Sequence, residues 1–338
     1  MEEQSLKDVY ASLDADASLV YVVPLIRYSN KDSDYLYLLY KELIEHQDYT
    51  IESLTAIQHY KLILQVFQNQ GAILHYHWLE FQSLKSLLGM PWKLLCIFIF
   101  VTFGGKIVWT IHNEVPHDRK FLGFHRWLHP VMARWADALH VHCRRAANIM
   151  KEKLKVPDHK FFICPHPSFP MKQLSKETAI QNINDFYDCH INTEVPKLLM
   201  FGNISSYKQM GEIAQIILRL PEPAKLIIAG PVKKGHKKIY KQLVNLQQTS
   251  DRLLVIPHFI QEEHVAWFYN ATDLCVFNYR DILTSGGVHL ALSYKKRILA
   301  PDKGCISELS SHPDVRLFTP DDPLEDILLQ EIQRNRHE

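Results

Sequence analysis

One pattern constrains the fold more than any other: short, β-rich apolar runs alternate with helix-like segments, and the scheme occurs twice. In the first half the runs are Leu19–Pro24, Ala72–His75, Lys106–Ile111, Ala138–Val141 and Phe161–Ile163. Between them, Asp34–Glu45, Ile57–Phe67 and Arg144–Leu154 place apolar residues three and four apart, the helical period. The second half offers Leu198–Phe201, Leu226–Ala229, Leu253–Ile256, Leu274–Phe277 and Ile298–Ala300 as strands. Its expected helices are Tyr207–Leu220, His236–Gln248, Glu262–Tyr269, Ser285–Tyr294 and Leu324–Arg334. Strands this short and this continuously apolar suit parallel sheets covered on both faces. The pattern predicts an α/β chain of two doubly wound, Rossmann-like domains.

A length of 338 residues suits two domains. The polar stretch from Pro165 to Pro196, with further prolines at 167 and 170, separates the halves. The expected organisation is one domain over 1–170, a second over 171–320, and a C-terminal helix in 321–338 packing back on the first. Hydrophobic residues make up 47% and charged residues 22%, as in a soluble globular protein. The formal charge of +1 gives no argument for nucleic acid, so anions must be bound by local placement. Six scattered cysteines without a C-x-x-C fit reduced thiols. The acidic N-terminal stretch lacks a signal-peptide core, and a cytoplasmic protein is expected. The most apolar segment, Leu94–Phe103, is shorter than the ~20 residues a spanning helix needs, and Lys93 and Lys106 bracket it. It reads as a buried helix or as one touching a membrane surface.

In doubly wound sheets, ligands bind at the carboxyl ends of strands, so the post-strand loops carry the information. After the first run come Arg27 and Asn30, with Asp32 or Ser33 as a helix cap. His75 and His77 share one face of a strand, without a third ligand at metal spacing. His112 and Asn113 end the run VWTIHN, and His117 and Asp118 follow Pro116. A histidine placed there can take or give a proton near neutral pH. His142 lies at the next strand end, with Arg144 and Arg145 opposing the helix dipole behind it.

In the second half, Gly202 permits close backbone approach, Asn203 follows it, and Ser205 or Ser206 caps a helix. Lys208, expected in the first turn of that helix, opposes the dipole unless an anion offsets it. Gly230 stands at the next strand exit. The stretch RDILTSGGVHLAL then brings Arg280, Asp281, Thr284, Ser285, Gly286 and Gly287 before an apolar helix face. Two glycines cost that helix ~1 kcal/mol each against alanine, which points to amides kept bare for an anion.

With these residues in view, the chain resembles the GT-B glycosyltransferases, particularly bacterial enzymes of family four. The resemblance runs through VWTIHN, ALHVHCRRAANIM, ICPHP, FGNISSYK, LIIAGP and NYRDILTSGGVHLALSYKKRILAPDKG. It implies a nucleotide-sugar donor on the C-terminal domain, an acceptor on the N-terminal domain, transfer in a cleft, and no metal or other cofactor. It implies that Lys208 binds the diphosphate, with Arg280 as an added cation. Thr284 to Gly287 then match the helix terminus under the phosphates, and His112 the histidine beside the transferred sugar. Gly202, Asn203, Gly230 and Asp281 fall on the donor side; Arg27, Asn30, His77, Asn113 and His117 fall on the acceptor side. The expected partners are a UDP- or GDP-sugar and a glycan or lipid-linked glycan, with a membrane surface as the place of the latter. Relatives commonly carry two glutamates near positions 282 and 290, where this chain has Ile282 and Leu290, and Lys295-Lys296-Arg297 replaces a common Gly-x-Pro. Stereochemistry is therefore left open. A catalytically silent scaffold and a nucleotide-sugar epimerase are the alternatives.

Overall fold

In the computed structural model the described residues are 2–68, 71–79, 88–116 and 121–334. The chain divides into two compact units, Met1–Pro167 and Ser168–Glu338, with the boundary inside the proline-rich stretch. Among the described residues each unit holds one six-stranded, all-parallel sheet with helices between successive strands.

The first sheet comprises β1 (Leu19–Val23), β2 (Thr50–Ser53), β3 (Ala72–Tyr76), β4 (Lys106–Thr110), β5 (Ala138–Val141) and β6 (Phe161–Ile163), in the order β2-β1-β3-β4-β5-β6. The second comprises β7 (Lys197–Phe201), β8 (Lys225–Ala229), β9 (Leu253–Ile256), β10 (Leu274–Val276), β11 (Arg297–Pro301) and β12 (Val315–Phe318), in the order β12-β11-β10-β7-β8-β9. The winding reverses between β1 and β3 in one sheet and between β7 and β10 in the other. Those switch points are where the connecting loops part and leave a crevice for ligands.

Local chemistry sets the helix starts. Ser5 caps Leu6–Leu13 by accepting from the Asp8 N–H, and Ser175 caps Lys176–Tyr187 through the Thr178 N–H. Asp34, rather than Asp32 or Ser33, caps Tyr35–Glu45, because its carboxylate is the one that reaches the Tyr37 N–H, at 2.9 Å. The segment read as a buried helix is Met90–Thr102, and it is buried on one side only: Cys96, Ile97 and Phe100 face inward while Leu95 and Phe98 are exposed.

The C-terminal helix belongs to the core of the second unit. Leu324–Arg334 packs within the second unit: Ile327, Leu328 and Ile332 join the core around Leu226 and Phe318. The buried Glu331 holds it there, paired with Arg297 of β11 and, at 3.2 Å, with Arg316 of β12.

Candidate functional site

The loops after β7, β8 and β10 meet at the second unit's switch point. Gly202 and Gly230 have backbone φ of +90° and +145°. A Cβ on Gly230 would stand 2.4 Å from the Gly202 carbonyl oxygen, and one on Gly202 would stand 2.9 Å from Lys208 Nζ. The glycines thus let two strand exits press together and admit the lysine side chain. Lys208 lies in a single 3-10 turn, Ser206–Lys208, ahead of the helix Met210–Arg219, and not in that helix's first turn. Gln209 has a left-handed backbone between them, so neither Ser205 nor Ser206 caps the helix; the Ser206 N–H donates instead to His236 Nδ1 at 3.1 Å.

The side chain of Lys208 is 8% exposed, and its ammonium donates to the Phe201 carbonyl at 2.8 Å. Among the described residues no carboxylate forms an ion pair with it. Burial, reinforced by Lys233, pushes its pKa down to about 7. A cation so placed gains from any anion that arrives.

Beside it, the Arg280 N–H donates to the Tyr207 carbonyl at 2.8 Å, and the rings of Tyr207 and Tyr279 stack. This ties the Arg280 loop to the Lys208 loop. Arg280 and Asp281 pair at 3.2 Å with both side chains more than two-fifths exposed, an interaction that water screens and a ligand displaces at little cost. Ser285, not Thr284, caps Gly286–Ser293: its hydroxyl oxygen accepts from the Val288 N–H at 3.2 Å and donates to Tyr279 at 3.0 Å. Thr284 Oγ1 lies 3.5 Å from Cys305 Sγ. The Gly286 and Gly287 amides precede the first intrahelical acceptor, as at any helix start. A Cβ on Gly287 would reach 3.2 Å from the Phe277 ring, so this glycine also serves packing.

In the first unit the strand ends gather histidines. His77 follows β3 and is 1% exposed; His112 follows β4, partly buried. His77 Nδ1 lies 3.2 Å from His112 Nε2, and the Trp78 ring stacks on His112 with centroids 4.2 Å apart. Behind them a network fixes tautomers. The Cys164 carbonyl, which only accepts, takes N–H bonds from His140 Nε2 at 2.9 Å and His142 Nδ1 at 3.0 Å. His140 Nδ1 must then accept from the Thr110 hydroxyl at 2.8 Å, and Thr110 accepts from His75 Nε2 at 2.7 Å. His75 Nδ1 is left as an acceptor, its one lone pair facing the hydroxyls of Tyr10 and Tyr40 at 2.5 and 2.6 Å, and those hydroxyls also bond to each other. Tyr40 is also 2.9 Å from His77 Nε2, so the chain of bonds runs unbroken from Cys164 to His112. His142 Nε2 accepts from Tyr35 at 3.0 Å.

Burial holds the rings neutral. It drives His75, His77, His112 and His142 well below the usual imidazole range, and His140 and His166 to about 4. Among the described residues no group of three or more His, Cys, Asp or Glu is arranged to hold a metal ion.

The expected acceptor-side His77 and the expected catalytic His112 are in direct contact. Arg27 is exposed after β1, where the Asn30 N–H closes a turn on its carbonyl at 3.0 Å. Asn113 is partly buried beside His112, and both line a small recess with Trp78 and Trp109. His117 and Asp118 lie outside the described residues. Tyr10, Tyr35, Tyr40, His140 and His166 were missed; the signal was the i, i+2 histidine spacing repeated at 75/77 and 140/142.

No protein-family model matches the chain. Curated relatives are two GDP-mannose:glycolipid 4-beta-D-mannosyltransferases of Xanthomonas campestris pv. campestris, 24% and 23% identical over 238 and 240 residues. The matches span 68% of this chain and 61% of each relative, so the chain matches about three fifths of their length. Among solved structures, Anabaena HepE in complex with UDP-glucose superposes with TM-score 0.65 at 13% identity, over 94% of this chain and 90% of that one. Sucrose-phosphate synthase from Thermosynechococcus elongatus gives TM-score 0.65 at 13% identity, over 95% and 90%. The fold is thus the GT-B fold, built of two Rossmann-like domains.

Proposed function

We propose that the protein transfers a sugar from a UDP- or GDP-sugar to a hydroxyl of a glycan or lipid-linked glycan. The observation that carries this reading is Lys208: a buried ammonium at the switch point, donating to one carbonyl and ion-paired with no carboxylate among the described residues. It is shaped for a diphosphate. Arg280 and the Gly286 and Gly287 amides add donors, and together they stabilise the charge that grows on the leaving group as the sugar–phosphate bond breaks. No metal or other cofactor has a role in this scheme.

The attacking hydroxyl must lose a proton as it bonds to the anomeric carbon. His112, kept neutral by burial and braced by Trp78 and His77, is the group we assign to accept it. Arg27, Asn30 and His77, beside the first unit's switch point, and Asn113 after β4 fall to the acceptor. The relatives' name joins GDP-mannose to a β-linked mannosyl product. Ile282 and Leu290 stand where many enzymes of the resembled family carry glutamates, so the product anomer is left to experiment.

The test is a panel of nucleotide sugars with mass-spectrometric detection of transfer and NMR of the product anomer. Lys208→Ala and Arg280→Ala should each lower kcat by about 100-fold. Unchanged donor binding in both variants would remove the phosphate assignment, and nucleotide binding without turnover on any acceptor would favour the silent scaffold.

A further inference from the structure

Protons can be counted along the hydrogen-bonded network behind His112. Tyr10, Tyr40, His75, Thr110 and His140 are fully buried, and the neutral rings carry one N–H each. The network starts at the Cys164 carbonyl, which has no proton to give, so His140 holds its proton on Nε2 and bares Nδ1. Thr110 then gives its hydroxyl proton to His140 Nδ1, and His75 gives its Nε2 proton to Thr110 and bares Nδ1. Beyond stand two hydroxyls, Tyr10 and Tyr40, with two protons for three bonds. One bond goes to His75 Nδ1, one joins the hydroxyls, and one links Tyr40 to His77 Nε2 at 2.9 Å. Whichever tyrosine donates to His75, the proton of the other lies between the two hydroxyls. The third bond must therefore take its proton from His77 Nε2. His77 Nδ1 is then bare, and at 3.2 Å it can only accept from His112 Nε2.

We infer that His112 is held as its Nε2–H tautomer, that its bare Nδ1 is the atom that takes the acceptor's proton, and that Thr110 and Tyr40 are the positioning residues that set this. The inference rests on the reading of sugar transfer to a hydroxyl and names the atom that serves it. Among the described residues Nδ1 of His112 has no hydrogen-bond partner, whereas Nε2 is engaged by His77. In the step the acceptor O–H bond breaks and its proton bonds to Nδ1. The oxygen's electron pair bonds to the anomeric carbon, and the sugar–phosphate bond pair leaves with the diphosphate. His112 becomes an imidazolium whose Nε2–H still donates to the bare Nδ1 of His77, so the charged ring keeps its partner. The opposite tautomer would turn an N–H toward the acceptor and could only donate. It needs every link reversed, which sets a lone pair against the Cys164 carbonyl at 2.9 Å, or one buried link at which two lone pairs or two protons meet. Thr110 and Tyr40 make no hydrogen bond to His112 themselves and act on it only through the network.

The experiment is a long-range proton–nitrogen correlation spectrum of the full chain with its histidines labelled in heavy nitrogen, recorded near neutral pH without substrate. His112, assigned by the signals lost in His112→Gln, should show Nε2 as a protonated ring nitrogen and Nδ1 as an unprotonated one. Thr110→Val removes the hydroxyl in the middle of the network and nearly keeps the side chain's shape. His75 is then free to turn its N–H toward the tyrosines, every link from there to His112 reverses, and His112 should become the Nδ1–H form. Tyr40→Phe should do the same by removing the acceptor of the His77 Nε2–H. Each variant should lower kcat about 100-fold while the KM for the donor stays. Thr110→Ser, which restores a hydroxyl, should return the spectrum and most of the rate. A wild-type His112 with its proton on Nδ1 would overturn the inference. So would a Thr110→Val protein that keeps the wild-type tautomer, or one that switches tautomer at undiminished kcat. The spectrum needs no substrate, so the two readings fail separately. An Nε2–H His112 in a protein that transfers no sugar sinks the transfer reading alone, and an Nδ1–H His112 in an active one sinks the tautomer alone.

Discussion

An ammonium as buried as that of Lys208 must lose its proton or meet an anion. With its pKa brought down to about 7, it is half neutral at that pH. A diphosphate binds the charged form and raises the pKa again. Donor binding should therefore take up protons, most strongly just above neutrality, and the dissociation constant should rise with pH by up to about tenfold per unit there. Calorimetry with UDP or GDP at pH 8, in two buffers of different ionisation enthalpy, reads the uptake directly. Lys208→Met should abolish both the uptake and the slope. Identical apparent enthalpies in the two buffers for the wild type would show that the lysine keeps one protonation state through binding, and would remove the linkage. Glycine, lysine and the Thr-Ser-Gly-Gly stretch were all legible in the sequence because each violates a local preference. What the sequence concealed was which serine caps, and that Lys208 sits in a separate 3-10 turn. Those depend on the left-handed Gln209 and on the reach of the Ser285 hydroxyl.

Among the elements, the central strands declared themselves because both faces are covered: β3 is buried at all five positions and β8 at four of five. The edge strands β2 and β12 went unread for the opposite reason. Thr50–Ser53 has no buried residue, and Val315–Phe318 is buried only at its ends, so neither leaves an apolar run. The histidine network depends on register, which a sequence does not display. Thr110 is paired with His140 across β4 and β5, and His75 with Val108 across β3 and β4. The C-terminal helix is another case of register deciding the outcome. Its stripe was visible, but the partner was fixed by Glu331, which meets Arg297 and Arg316 on adjacent strands. Removing that carboxylate leaves Arg297, whose side chain is 13% exposed, without its ion-pair partner Glu331. Glu331→Ala should cost the second unit about 3 kcal/mol, seen as a lower urea midpoint and as faster amide exchange over Leu324–Arg334. A midpoint within error of wild type would mean that the apolar contacts of Ile327, Leu328 and Ile332 hold the helix by themselves.

At the scale of the whole molecule, the two units resemble each other in winding but should differ in their response to acid, because the buried histidines with the largest shifts lie in the first. The first holds its buried imidazoles neutral, whereas the unfolded chain protonates them near the ordinary value of about 6.5. For a group whose folded pKa is depressed, stability is complete above that value and is lost as pH falls toward the folded one. His140, with no exposure and a pKa near 4, accounts for up to ~3 kcal/mol on its own between those limits. His75, His77, His112 and His142 act in the same direction. The tryptophans make this measurable: Trp78, Trp92, Trp109, Trp127 and Trp135 lie in the first unit and Trp267 in the second. Urea unfolding followed by tryptophan emission should show a midpoint that falls steadily from pH 6.5 to 4. Amide exchange over β7, β8 and β10 should remain slow across the same range. Replacing His140 with Gln should flatten the pH slope while lowering stability at pH 7, because the Cys164 carbonyl and the Thr110 hydroxyl keep poorer partners. If emission and amide exchange instead report one common acid transition, the histidine network does not set the limit, and the neutral rings owe their state to a fold that is stable for other reasons.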